Sequence, residues 1–532
     1  VLPEGAQGQG QDPRLSTQVL KRSSTLGLLG CVALTLASCG RAPQRPNVLF
    51  IIVDTLRADH LSCAGYERET SPNIDSFAAE SLRFTHAQTP RAKTTPAVAS
   101  IFTGLYPHGH GVRDLVTPLP IDVPVLAERF HQEGYATGAI ISNFVLRDDF
   151  SGLGRGFDVW VEDFPSSHGV PPNHVPQRLA GSVTDGVLSA LGIAPASADG
   201  AGPETPIAED GQPWLLWAHY MDPHGLYMPP PEHDRFHSES VQRVPLEPQK
   251  APGAITEPWL GRYNLIPSDL LGDGDIDAAQ VIDRYDGEIS YLDAELGRLF
   301  GELERSGALE DTLIIFVADH GESLGEHDYW FEHGRHTYEA TCRVPLIIRL
   351  PDNFEDRPSA GVRSGDVSLA DLAPTLIELL SLEPLPASKA LYAAGESFVP
   401  LLLSDRPSDR PVFSEKVERA KLQRAIQSKA VRLGDWKYIR RYTFLKASTG
   451  GAAKPTVLSE ELYDLSVDPM EAQNLASAPP GDAPIDRLRA ELLAFCAGDV
   501  HFAELARELQ ARRDSLELKD PETLRILKSL GY

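Results

Sequence analysis

The sequence predicts an α/β fold, a mostly parallel central sheet flanked by helices with a smaller α+β subdomain at the C-terminus. Three observations carry this. Continuous apolar runs rich in branched residues recur along the chain, as strands buried on both faces of a parallel sheet require. Helical patterns alternate with those runs. After about Asp405 the pattern changes to short, closely spaced strands followed by an amphipathic helix.

The strongest strand signals are Asn47 to Val53 (NVLFIIV), Trp214 to Ala218 (WLLWA) and Thr312 to Ala318 (TLIIFVA). Val344 to Leu350 and Ala136 to Ser142 are weaker versions. Helical patterns cover Asn73 to Ser81, Val123 to Gln132, Ala278 to Ser306 and Asp371 to Leu382. Ser166 to Pro213 and Pro229 to about Ile276 read as loop insertions. In the tail, strands are expected at Ala430 to Leu433, Trp436 to Tyr442 and Glu461 to Asp464, and a helix near Ile485 to Arg513. The expected organisation is a signal segment over 1–39, a linker over 40–46, a catalytic domain over 47–404 and the subdomain over 405–532.

The chain has 532 residues, 75 acidic and 49 basic, for a formal charge of −26. That is long enough for a large core and too acidic for a nucleic-acid footprint, so no nucleic-acid partner is expected. Five cysteines exclude a disulfide scaffold, and Cys63, Cys342 and Cys496 read as free thiols. Lys21 and Arg22 precede a short apolar run, Leu26 to Ala37, too short for a comfortable span and typical of an export signal. Its end, Leu36-Ala37-Ser38-Cys39, resembles a bacterial lipobox. That implies an exported protein held to a membrane, on its periplasmic or outer face, through lipidated Cys39.

Ligands in open parallel sheets bind beyond the carboxyl ends of strands. Three apolar runs here end in acids or histidines: at Asp54, at His219 to His224 (HYMDPH), and at Asp319-His320-Gly321-Glu322. Carboxylates brought together without a cation repel, so a divalent metal site is expected. A mixed Asp and His set suits an ion of intermediate hardness.

A fourth element, Lys93 to Pro107 (KTTPAVASIFTGLYP), completes a motif order that resembles the sulfatases of the alkaline-phosphatase superfamily. The matching stretches are Asp54, Ser100 to Pro107, Asp319 to Glu322, Arg343-Val344-Pro345-Leu346, and Leu462 to Pro469 with Asn474-Leu475. The resemblance implies a metal-dependent hydrolase of sulfuric or phosphoric esters acting on an anionic substrate. Thr94 stands where the family carries the cysteine that becomes formylglycine, Val98 where it carries arginine, and Thr55 where it carries a second metal carboxylate. The implied set is Asp54, Thr94, Asp319 and His320 for one metal, with Thr94 as nucleophile and His224 and His333 on the transferred group. His224 and His333 joining Asp222 around a second metal is an alternative. Calcium is the family default; the fewer carboxylates and His320 move the expectation toward Zn or Mn.

Threonine has no aldehyde hydrate through which to release sulfate, so phosphoesters are favoured. Thr94, the stretch Asp319 to Glu326 and His333-Gly334 also resemble phosphoethanolamine transferases, which leaves a phosphoryl transferase open. A non-catalytic lipid-anchored binding protein is a third reading. Arg91 and Lys93 are expected as solvated loop charges, with substrate attraction the alternative. Arg335 or His336 could replace His333. His108 and His110 read as structural. Asp283 and Asp286 read as a solvated or capping face. Gly152, Gly154 and Gly156 lack the strand-then-helix context of a nucleotide loop.

Overall fold

A computed structural model describes residues 45–164, 176–195, 202–209, 211–247, 259–260, 266–385, 394–406, 409–419, 424–445, 455–497 and 499. Cys39, the signal segment and most of the linker lie outside the described residues. Among the described residues no helix is long and apolar enough to cross a membrane.

Eight strands form the central sheet: β1 (Asn47–Val53), β2 (Leu82–Gln88), β3 (Ala136–Ile140), β4 (Val159–Val161), β5 (Trp214–Tyr220), β6 (Thr312–Ala318), β7 (Arg343–Arg349) and β8 (Gly361–Ser368). Their order across the sheet is β8-β2-β7-β6-β1-β5-β3-β4. β1 pairs in parallel with both β5 and β6, and β3 in parallel with β5 and β4. β7 runs antiparallel to both of its neighbours. The parallel core explains the apolar runs: β5 and β6 are buried at every position, and β1 at all but its first.

Two helices matter most for the site. Thr94–Thr103 is buried along its whole length and ends at Gly104, whose φ of 69° is the left-handed conformation glycine tolerates. Ala278–Ser306 is capped by the Asp277 carboxylate, which accepts from the Ala279 N–H, and ends at Gly307 in the same left-handed region. Ala180–Ala190 packs against it. That helix corrects the reading of Ser166 to Pro213 as a loop. The Pro229 insertion likewise holds a short strand pair, Arg243–Pro245 with Asp275–Asp277.

A separate antiparallel sheet follows, β9 (Val412–Arg419), β10 (Arg424–Leu433), β11 (Trp436–Leu445) and β12 (Pro455–Asp464), in that order. Helix Ile485–Ala497 packs on it; the remainder of the expected Ile485 to Arg513 helix lies outside the described residues apart from Asp499. Cys63, Cys342 and Cys496 are free.

Gly156 takes a φ of 82°, and a Cβ there would meet the Glu128 backbone nitrogen at 2.2 Å. Gly156 therefore seats its loop on the Leu126–Gln132 helix, while Gly152 and Gly154 pack against Leu119 and Asp148.

Candidate active site

The ends of β1, β6 and β3 and the start of the Thr94 helix converge. Asp54 directly follows β1 and Asp319 directly follows β6; their backbones are tied, Asp319 N–H donating to Val53 O at 3.1 Å and Asp54 N–H to Tyr220 O at 2.9 Å. Parallel pairing thus puts two fully buried carboxylates side by side. Asp319 Oδ1 accepts from the His320 N–H at 2.7 Å and the Thr55 N–H at 3.4 Å. Asp54 Oδ2 accepts from Asn143 Nδ2 at 2.6 Å and from Thr94 Oγ1 at 3.4 Å.

His320 turns Nδ1 to Gly321 O at 3.0 Å. Its Nε2 then lies 3.4 Å from Thr94 Oγ1, 3.7 Å from Asp54 Oδ1 and 3.5 Å from Asp319 Oδ2. Asp54, Asp319 and His320 offer ligand atoms all within 4.8 Å of one another. Asp54 Oδ1 and Asp319 Oδ2 are buried with no hydrogen-bond partner. Such atoms are costly to leave unmatched, and a cation between them is the group that would match both. The donor set of two carboxylates, one imidazole and one hydroxyl fits a divalent ion.

Electrostatics agree. Burial, with Asp54 beside it, pushes the Asp319 carboxyl well up. Burial also works to raise Asp54, but His224, His320, His219 and His333 outweigh it and hold that carboxyl low. Burial lowers His320 to about 3, and His219 and His333 to about 4, so all three are neutral imidazoles.

His333 packs at a tilt against His320, ring centres 4.3 Å apart, and the His224 ring centre lies 5.4 Å from that of His333. The structure therefore brings together Asp54, Thr94, Asp319, His320, His224 and His333. It leaves Asp222 out: that carboxylate is buried facing Glu288, outside the group of Asp54, Asp319 and His320, which removes the ligand set pairing it with His224 and His333. His336 packs on Tyr329 and Tyr338 with Lys416 and Arg441 nearby, so it does not stand in for His333.

Several charges are more buried than the sequence suggested. Arg91 is buried and donates to Gly334 O at 2.8 Å, and Lys93 pairs with Asp114 at 2.5 Å. Both brace the loop before Thr94 rather than sitting solvated. Asp286 is fully buried, bonding His60 at 2.7 Å and Tyr66 at 2.8 Å, while Asp283 pairs with Arg68. These acids pin the segment after Asp54 to the long helix; they are not a solvated face. His110 meets Ser100 Oγ at 3.0 Å and His108 lies 3.3 Å from Glu415, both structural contacts.

A family model described as Sulfatase matches residues 46–382, and one described as N-sulphoglucosamine sulphohydrolase, C-terminal, matches residues 325–497. The chain belongs to the sulfatase family.

It is 28% identical over 510 residues to a choline-sulfatase of Rhizobium meliloti, covering 88% of this chain and 90% of that protein. It is 26% identical to the multifunctional alkaline phosphatase superfamily protein PehA of Trinickia caryophylli, covering 82% and 92%. Among solved structures, a protein in complex with its substrate D-glucosamine-2-N,6-O-disulfate superposes with a TM-score of 0.63 at 22% identity, covering 86% of this chain and 98% of that one. A phosphonate monoester hydrolase of Agrobacterium radiobacter gives 0.60 at 22%, covering 86% and 96%. These two establish the shared fold. The chain is thus a sulfatase-family hydrolase with a candidate metal site.

Three residues of this sulfatase-family site escaped the sequence reading. His219 Nε2 lies 3.9 Å from Asp54 Oδ2, with Nδ1 bonded to Ser142 Oγ at 2.8 Å. Asn143 holds Asp54. Glu322 sits 3.3 Å from His333 Nδ1 and accepts from Tyr227 at 3.2 Å. His219 and Glu322 stand within the strand-end motifs, which was a signal; Asn143 had none.

Proposed function

We propose that this chain is a metal-dependent hydrolase working through a threonine nucleophile, without formylglycine, and that it prefers phosphodiesters and phosphonate monoesters to sulfate esters. The observation that carries the reading is the placement of Thr94. Its Oγ1 stands on the first residue of a ten-residue helix, 3.4 Å from both Asp54 Oδ2 and His320 Nε2. Backbone N–H groups at that helix end favour an anion there.

Asp54, Asp319, His320 and Thr94 would hold the ion, Zn or Mn by their chemistry, and the ion would acidify the Thr94 hydroxyl and neutralise the attacked group. Thr94 Oγ1 attacks phosphorus in line, its hydrogen passing to Asp54 Oδ2, and the bond to the leaving oxygen breaks. Glu322, its carboxyl raised to about 8 by burial, keeps its proton at neutral pH and donates to His333 Nδ1. Assigned from that network, the His333 hydrogen is on Nε2, a donor toward the non-bridging or departing oxygen. His224 Nδ1 donates to Gly225 O at 2.7 Å, which leaves its Nε2 as the acceptor for the proton of the water that frees Thr94. A sulfated threonine has no comparable exit through a carbonyl.

The name of the phosphonate monoester hydrolase supports phosphorus substrates within this fold. We place the protein outside the cytoplasm, tethered through Cys39, on the strength of its Leu-Ala-Ser-Cys sequence.

An aryl sulfate, an aryl phosphate and a bis-aryl phosphate, each given to wild type and Thr94→Ala, test the mechanism. Wild type should favour the bis-aryl phosphate, and Thr94→Ala should lose at least ~10³-fold in kcat. Preference for the aryl sulfate would sink the threonine argument. Silence on all three substrates would favour a transferase or a non-catalytic protein.

A further inference from the structure

Two buried acids hold the loop that carries His224. The loop runs from Met221, just after β5, to Met228. At its start, the buried Asp222 carboxylate lies against the Glu288 carboxyl, close to the Ala180 backbone. At its end, the Met228 N–H donates to Glu288 Oε1 at 2.7 Å. One side chain on the long helix therefore grips both ends of the loop. Asp222 and Glu288 are 4% and 5% exposed, and Asp222 Oδ2 has no N–H or hydroxyl donor of its own. Two carboxylates in contact and out of water cannot both ionise cheaply. A proton on Glu288 is the donor that Asp222 Oδ2 lacks.

We propose that Asp222 and Glu288 share one proton and together position His224, so that losing this proton sets an alkaline limit on the reaction. The proposal rests on the reading that His224 serves the transferred group. The groups facing the pair are Tyr220 on β5 and Arg284, Tyr291 and Glu295 on the long helix. Only Arg284 is a cation. Burial pushes both carboxyls up, Asp222 to about 6 and Glu288 well above the usual carboxylate range. An acid raised in the folded state lends stability at low pH that disappears as pH climbs, so the closed loop weakens on the alkaline side.

The amide of glutamine can replace the shared proton. In Glu288→Gln, Nε2 donates to Asp222 while Oε1 still accepts from Met228. Hydrogen exchange of residues 221–228, corrected for intrinsic rates and followed from pH 6 to 9.5, reads the clamp without any substrate. Wild type should lose protection as pH rises, Glu288→Gln should keep it, and Glu288→Ala should lack it throughout. On whichever test ester wild type turns over, Glu288→Gln should move the alkaline limb of kcat up by at least one pH unit. Asp222→Asn should do the same, and Glu288→Ala should lower kcat at least ~10-fold with KM less affected. Identical exchange in wild type and Glu288→Gln across the range overturns the shared proton. Loss of protection without any change in the kcat limb overturns the link to His224. If no ester is turned over, the exchange data alone decide the clamp, and the failure belongs to the hydrolase reading.

Discussion

Asp319 Oδ2 and Asp54 Oδ1 face each other's charge in a space closed to solvent. Without a cation the protein must keep a proton on Asp319, which is why that carboxyl is raised. The metal-free protein should therefore lose stability as pH rises, because the folded state binds that proton more tightly than the unfolded chain. Asp319→Asn removes the repulsion and a strong ligand together. We expect metal analysis of purified protein to show about one divalent equivalent in wild type and its loss in Asp319→Asn. Outer partners alone change metal affinity by ~10–100-fold, so a direct ligand should exceed that. With metal stripped at pH 8, the same variant should melt above wild type. Equal metal in both proteins, or a lower melting point for stripped Asp319→Asn, would contradict the assignment.

The short helix Glu339–Cys342 leads into β7 and is moored to the antiparallel sheet by a buried charge cluster. Lys437 Nζ lies 2.9 Å from Glu339 Oε1 and 3.0 Å from Glu471 Oε1, Arg432 also pairs with Glu339, and Glu471 Oε2 accepts from the Glu339 N–H at 2.6 Å. Both carboxyls face a burial penalty. Lys437 and Arg432 outweigh it at Glu339, bringing it down to about 2, whereas Glu471 rises to about 7. The raised acid contributes stability below about pH 4.5 that is lost as pH climbs through 7. Glu471→Gln should thus gain on wild type in melting temperature between pH 5 and 8; a gap that is flat or shrinks with pH would refute it. Sequence made such elements unequally legible. β1, β5 and β6 showed plainly because burial on two faces demands unbroken apolar runs. β8 (GVRSGDVS) lies at the sheet edge and β9 is polar, so neither carries that signature. Ala180–Ala190 contains Gly181, Ser182, Thr184, Gly186 and Ser189, poor helix formers, and is helical because it packs on the long helix. The acids of the candidate metal site were readable at strand ends; Asn143 was not, because only the fold brings it to Asp54, 89 positions away.

Across the whole molecule, the antiparallel sheet is joined to the chemistry. Glu415 N–H donates to Pro90 O at 2.8 Å and Ser414 Oγ to Thr89 O at 2.6 Å, so β9 braces the segment that runs into Thr94. Behind it lies a buried cluster: Lys429 pairs with Glu415 and Asp499, and Arg113, from the same region as Asp114 that holds Lys93, pairs with Asp499. Two anions and two cations balance there, and removing one partner leaves a buried charge unmatched, at a cost of ~3–5 kcal/mol. Lys429→Met should therefore destabilise the protein by about that much, and calorimetry should still show one transition because the central and antiparallel sheets share the cluster. Two separated transitions in the wild type would mean the units fold independently. A Lys429→Met protein as stable as wild type would mean Arg113 alone satisfies both acids. The proposed tether through Cys39 is a separate matter: if that reading holds, Cys39→Ser should release the protein from membranes while leaving this melting behaviour untouched. A protein that stays membrane-bound after that change, or that is released but melts lower, would contradict a tether that acts purely as an anchor.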